Sequence, residues 1–452
     1  MKIIPTQIIS NSCLKNRTSK NWGVFLLLIL AGLLTQPKAM GSFGIILWFL
    51  LGILSFKKVE YTVFYLVLSQ ILPDIVGVSG NLAQWAIIIW IIYRVFSKRK
   101  INLEIIKPII LYLLPLLIWL SISAIANGEF PFYLMELIKG TVFSFIVFDA
   151  LQDRKIDFVE IGFYIILACL FASLPFWTGD RASLNEAVGF GGGNRGFSRI
   201  EGFRGNANFV MVVLCFALVG VFHHWLQAQF TGRKTHLGSF VSFTILIIIC
   251  IPPLISTQSR TPFIVIAIML LLTIIFEVYY FQKFEKLIFV AIKACVVVLI
   301  IILALDFFLP SWLSRIQDLI YYQSKGGSFF YGRSSLWISG FNIVLDNPLF
   351  GTSFTVFTEL TNGLTTSHNT IIDSGIMSGI PGMILTLIYL SSPILISKKN
   401  IYYGGFRLFL SIYMTGLIIS MSIGLQGNKI MYILWTLLFS IEIYRKKGMK
   451  FN

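Results

Sequence analysis

Long apolar runs, broken by short clusters of charge, repeat along the whole chain. They fall at 22–36, 41–56, 60–73, 80–97, 106–127, 131–151, 158–177, 206–229, 238–256, 261–281, 287–309, 368–396, 402–424 and 428–444. Most approach the roughly 20 residues that carry an α-helix across a bilayer core. The pattern predicts an all-α fold, a polytopic membrane helix bundle of about 14 spans, with about 12–14 allowed by the short opening runs. Lys15, Arg17 and Lys20 followed by the apolar run Val24–Leu34 resemble a signal peptide. A second apolar run begins almost at once with no clear small-x-small cleavage site before it, so a true first span is expected.

Composition sharpens this picture. Of 452 residues, 56% are hydrophobic and 12% charged, and the mean hydropathy is +0.83. Soluble domains carry roughly a quarter charged residues. A cytosolic enzyme, a secreted disulfide scaffold and a disordered chain are thereby excluded. The net charge of +16 would suit a polyanion partner, so its placement decides. With a cytoplasmic N-terminus the loops alternate sides, and 17 Lys and 7 Arg fall inside against 3 Lys and 7 Arg outside. Excess Lys and Arg in cytoplasmic loops is the positive-inside signature. The charge therefore reports topology, with both termini cytoplasmic and the bilayer rather than nucleic acid as partner.

The outer side carries Arg where the inner side carries Lys. Guanidinium forks suit bidentate binding of phosphate and carboxylate. Three of them, Arg195, Arg199 and Arg204, crowd into ten residues with one acid among them. They belong to the outer loop 178–205, whose Gly-rich stretch 189–196 lacks the Gly-Lys-Ser/Thr ending of a P-loop. The other long outer loop is 310–367. Within it, Leu336, Trp337, Phe341, Val344 and Leu345 recur at helical spacing over Ser334–Leu345. An amphipathic helix is expected there, lying at the membrane surface or capping a cavity. The chain thus divides into helices 1–11 over 1–309, a large periplasmic loop over 310–367, and helices 12–14 over 368–452.

Metal and disulfide chemistry find little support. Cys13 lies in the predicted cytoplasmic tail, and Cys169, Cys215, Cys250 and Cys295 lie within apolar runs, where thiols act as small packing residues. No Cys/His cluster has zinc spacing and no Asp-x-Asp pair occurs, so neither a metal nor a cofactor is expected. Asp149, Asp153 and Asp157 read as a solvated helix end. Of four histidines, His223, His224 and His236 read as surface residues on the cytoplasmic side. His368 is the outer one, at the start of a span. An imidazole near its unperturbed pKa of about 6.5 can take a proton at neutral pH. Arg260, in the tight turn Ser259-Arg260-Thr261, and Arg204, at the mouth of the eighth span, lie on the same side. Arg333 opens the amphipathic loop helix. Ionisable groups at a hydrocarbon edge are costly and usually functional.

At these residues a family resemblance emerges. His368-Asn369, nine residues, then Gly379-Ile380-Pro381-Gly382 resembles the His-Asn-x9-Gly-x-x-Gly motif of the O-antigen ligase and polymerase superfamily. Arg333, Trp337 and Asn347-Pro348-Leu349-Phe350-Gly351 resemble its large periplasmic loop. Ser256–Arg260 and Arg204–Asn208 resemble two further elements, so the likeness covers about 200–390 in family order. The resemblance implies a bacterial inner-membrane glycosyltransferase with a metal-independent, inverting mechanism at the periplasmic face. Its substrate would be a polyprenyl-pyrophosphate-linked oligosaccharide, and its acceptor a glycan or lipid A core. His368 would be the general base, Arg204 and Arg260 would hold the pyrophosphate, and Arg333 would contact substrate. A longer Arg-rich stretch at 189–204 and a higher span count depart from the ligase pattern and leave the acceptor open.

A secondary transporter or a lipid-linked oligosaccharide flippase is the alternative, since transporters place ionisable groups at midplane. Glu136 and Lys139 have the spacing of an i,i+3 pair, Glu277 and Lys293 lie toward the inner ends of consecutive antiparallel helices where they could pair likewise, and Asp373 has no evident partner in the sequence. No inverted repeat is visible.

Overall fold

The computed structural model describes residues 37–72, 82–97, 103–128, 132–152, 156–178, 184–186, 198–200, 207–231, 240–257, 261–281, 285–308, 333–361, 367–420 and 428–447. The helices in chain order are α1 (Pro37–Ser55), α2 (Val59–Ile71) and α3 (Leu82–Ser97). The rod α4 follows, built from Leu103–Pro108, a π-turn at Ile109–Leu113 and Leu114–Ala126. Next come α5 (Phe132–Leu151) and α6, in which Phe158–Leu170 continues through a 3-10 turn into Leu174–Thr178. After α7 (Ala207–Thr231), α8 (Phe240–Ser256), α9 (Thr261–Phe281) and α10 (Glu285–Phe308) come the short α11 (Arg333–Asp346) and α12 (Phe354–Leu360). The chain closes with α13 (Thr370–Asn400), α14 (Gly404–Ser420) and α15 (Lys429–Lys446).

Thirteen of the predicted apolar runs coincide with helices, and the first, 22–36, lies outside the described residues. Among the described residues, Ile106–Ala126, Phe158–Thr178, Asn208–Thr231 and Thr370–Ile396 are long and apolar enough to cross a membrane, and six further apolar helices are shorter. The all-α expectation needs one amendment. Between α6 and α7, β1 (Leu184–Glu186) and β2 (Ser198–Ile200) pair antiparallel, with Asn185 opposite Arg199.

The core is organised around α7. Its apolar residues surround the whole helix, so no solvent or lipid face remains and nearly all of it is buried. It packs against α6, α8, α9 and α14. By contrast, α4 leaves Leu111, Ile118, Ile122 and Ile125 exposed, and α13 leaves Ile384, Leu387 and Ile388 exposed. Such a belt belongs in an apolar solvent. A second, smaller core joins Leu336, Ile343 and Val344 of α11 to Phe357 of α12 and Ile376 of α13.

Helix termini alternate between two ends of the bundle. Glu136, in the first turn of α5, pairs with Lys429, in the first turn of α15, and Asn127, after α4, reaches Phe350, beside the non-helical Gly379 of α13. These termini share the His368 end. Asp149 with Arg94 and Glu277 with Arg407 mark the opposite end.

Three expectations about charge are corrected there. Asp149 is buried rather than solvated, because Trp90 Nε1–H (3.2 Å) and Arg94 (3.3 Å) bind it. His223 and His224 are buried rather than surface residues. Glu277 pairs with Arg407 instead of Lys293, which donates to Gln229 Oε1 at 2.6 Å. Glu136 does pair with Lys139 (2.8 Å), and Lys429 joins them at 2.5 Å.

Candidate functional site

The local chain around His368 explains its geometry. Asn369 is a natural helix cap, and its Oδ1 accepts from Ile371 N–H (3.0 Å) and Ile372 N–H (3.3 Å). One turn into α13, the fully buried Asp373 accepts from Ser367 N–H (2.7 Å) and Ser367 Oγ–H (2.6 Å). The Asp373 N–H in turn donates to Asn369 O at 2.8 Å. Between these anchors His368 is held at φ +58, among the described residues the one non-glycine with positive φ. A left-handed residue outside glycine is uncommon, and such strain persists where the surroundings over-determine it. The lone acid that the sequence left unpartnered is therefore the anchor of the turn carrying the imidazole.

Eleven residues further on, α13 breaks at Gly379, where φ is +68 and ψ −167. A Cβ there would come within 2.5 Å of Pro348 O, and at Gly351, also at positive φ, within 2.5 Å of Ser378 N. The two glycines let two backbones touch. At the break, Ile380 N–H gives up its place in the helical ladder and donates to Pro348 O (2.8 Å). Ile376 O accepts Thr352 N–H instead (2.6 Å), and Ser378 O accepts Trp119 Nε1–H from α4 (2.8 Å). Phe350 stacks on Trp119 with centroids 5.6 Å apart, and Asn127 Nδ2–H donates to Phe350 O at 3.1 Å. Irregular backbone at membrane depth is tolerated where protein supplies its hydrogen bonds, and here each named group has its partner. The motifs at 347–351 and 379–382, separate in sequence, form one junction.

This break also moves the apolar span. From Ile380 to Asn400, at about 1.5 Å per residue, the second segment alone rises about 30 Å, a full hydrocarbon thickness. Thr370 to Ser378, in contrast, contains no exposed large apolar residue, whereas Ile380, Ile384 and Leu387 are exposed. The run expected over 368–396 is thus a buried lead-in followed by an exposed apolar span.

Helix α11 runs alongside that lead-in. A Cβ on Gly340 would meet Ile372, one on Gly375 would meet Val344, and Leu349 abuts Gly379. These contacts advance together, so the two segments run parallel. Carried back one turn, the same register sets His368 opposite Leu336, and Arg333, at the start of α11, lies three residues beyond, so both fall at one end of the pair. Arg204 and Arg260 lie outside the described residues. The helices they precede, α7 from Ala207 and α9 from Thr261, begin at the same end of the bundle. Sequence reasoning missed Ser367, Trp119 and Asn127. The two glycines stood inside quoted motifs, but nothing in the sequence joined them.

Residues 243–387 match a family model described as O-antigen ligase. That stretch runs from α8 to just past the break in α13, and it contains Arg260, Arg333, His368 and both halves of the junction, but not Arg204. No curated protein matches the chain. Together with the apolar helices, the match points to an integral membrane protein, and over that stretch, about a third of the chain, it supports a likeness to the O-antigen ligase family.

Proposed function

We propose that the protein transfers or polymerises a polyprenyl-pyrophosphate-linked oligosaccharide at the periplasmic face of the bacterial inner membrane. The observation that carries this reading is the parallel pairing of α11 with the start of α13, which brings Arg333 and His368 to one end within the family match. In the proposed reaction an acceptor hydroxyl oxygen attacks the anomeric carbon of the lipid-linked sugar from the face opposite the pyrophosphate. Its proton passes to a ring nitrogen of His368. The anomeric carbon–oxygen bond breaks, and polyprenyl pyrophosphate leaves with the bonding pair. Its negative charge grows as the bond breaks, so donors aimed at it favour the transition state over the ground state. Arg204 and Arg260 are the proposed donors, each contributing about 3 kcal/mol by analogy with oxyanion-stabilising groups. Arg333 is proposed to contact the glycan or its phosphate. With guanidinium groups neutralising the leaving group, the reaction needs no metal.

The test is incubation of purified protein with a defined polyprenyl-pyrophosphate oligosaccharide, alone and with candidate acceptors, a lipid A core among them. Lengthening without added acceptor identifies a polymerase, and transfer to the core a ligase. Arg260→Lys retains charge but loses the planar fork and is expected to abolish most turnover. Full product from a membrane-inserted His368→Ala variant would remove His368 as the base. Solute movement without consumption of lipid-linked glycan would favour the transporter reading.

A further inference from the structure

The surface of α11 divides into three arcs. At about 100° per residue, Leu336, Gly340, Ile343 and Val344 share the side buried against α12 and α13. Ile338, Phe341 and Leu345 share a second arc, and they are 62%, 46% and 53% exposed. Ser335, Asn342 and Asp346 occupy the arc beside it, also exposed. Ser334, exposed at the N-terminal end, is the one polar residue within the apolar arc. A helix immersed in water has no reason to sort its exposed residues this way. One lying at an interface, with protein on one side, hydrocarbon on the second and water on the third, does.

The apolar arc also has a direction. It continues through exposed Leu349 to Phe350, whose ring stacks on Trp119 of α4. Ile118, Ile122 and Ile125 on the same helix as Trp119 are exposed, as are Ile380 and Ile384 just past the α13 break that Phe350's neighbours Leu349 and Gly351 touch. The Phe350–Trp119 contact therefore joins the end of this face to a helix of the apolar belt. We infer that the Ile338–Phe341–Leu345–Leu349 face of α11 is seated in the headgroup–acyl boundary of the adjacent bilayer leaflet, with lipid itself as its partner. Amphipathic helices of this kind sink about 5–10 Å into that boundary. The seating would fix the height of the Arg333 end of α11 above the hydrocarbon. This inference rests on the arrangement of α11 and not on the catalytic role of His368.

Single cysteines at Phe341 and Leu345, and at Asn342 and Asp346, in a background with Cys13 and Cys295 replaced by Ser, test the inference without touching a buried contact. Each variant, carrying a bimane label, is placed in nanodiscs of phosphatidylethanolamine and phosphatidylglycerol. Lipids spin-labelled near the headgroup are expected to quench the 341 and 345 labels several-fold more than those at 342 and 346, with aqueous iodide showing the reverse order. Equal iodide quenching at all four positions would overturn the inference by showing a wet face. Protection of 341 and 345 from both quenchers would overturn it by showing a protein cover, either another segment or a second copy.

Discussion

Two polar regions at opposite ends of the bundle are built on different principles. At the far end, Arg407 closes a fork on Glu277, with Nε at 2.7 Å from Oε1 and Nη2 at 3.1 Å from Oε2. His223 Nε2 approaches the same carboxylate at 3.2 Å, while Ser411 and Gln227 occupy its ring nitrogens. The Tyr280 ring lies 4.0 Å from the guanidinium carbon. Here charge is answered by charge, all of it buried, across α7, α9 and α14. Around the His368 turn and the Gly379 junction the connections are largely backbone to backbone, and one carboxylate, Asp373, holds one turn, while the Glu136–Lys139–Lys429 cluster of that end belongs to α5 and α15. The first arrangement ties helices together. The second fixes the path of the chain and leaves Arg333 and His368 at its edge.

The strongest test of this contrast is to remove one partner of the fork. Arg407→Ala strands Glu277 in a buried site, and breaking such a pair costs about 3–5 kcal/mol. A large drop in melting temperature in detergent is expected, and Glu277→Gln in the same chain should recover part of it. If Arg407→Ala leaves stability intact but abolishes transfer, the far-end cluster is not merely a tie between helices, and the comparison fails.

Glycine substitution probes the opposite end. Gly379→Ala and Gly351→Ala each force a left-handed alanine, costing about 1–2 kcal/mol, and each drives a methyl against backbone atoms that no side-chain rotation can clear. Undocking of the 347–352 turn is expected, seen as new proteolytic cleavage between α11 and α13 while the rest of the bundle stays folded. Resistance equal to the parent would mean that the junction does not hold the loop.

The sequence made the helices legible because hydrophobicity is local and long. The run 261–281 and the helix Thr261–Phe281 coincide, and Ser334–Leu345 lies within Arg333–Asp346. The local Glu136–Lys139 pair was legible from its i,i+3 spacing, but long-range pairings were not, because a buried acid can meet any base that folding brings to it. Glu277 was matched to Lys293 as its neighbour in antiparallel helices, whereas its partner lies 130 residues away. The break in α13 was hidden for a related reason, since apolar residues continue across Gly379 and hydropathy carries no dihedral angle. Among the candidate site residues, the structure adds most at His368 and Asp373. Arg204 and Arg260 stand on the sequence and the family resemblance alone.

Asp373 gives the finer division between holding the chain and serving the reaction. Its carboxylate accepts two hydrogen bonds from Ser367, and bonds to a charged group contribute about 1.5–3 kcal/mol each. Asp373→Ala should free the turn, whereas Asp373→Asn retains one acceptor oxygen and should lose less. If the residue only positions His368, both variants should lower kcat with KM for the lipid-linked glycan nearly unchanged, in the order Ala worse than Asn. The pH dependence of kcat should keep the parent's shape, because the imidazole is displaced rather than retuned. A rise in KM without a fall in kcat would instead make Asp373 part of the substrate pocket. Ser367→Ala separates the two bonds, since it deletes the hydroxyl donor at 2.6 Å and leaves the backbone donor at 2.7 Å. Its effect should fall below that of Asp373→Asn, because the turn keeps its charged anchor and its main-chain bond.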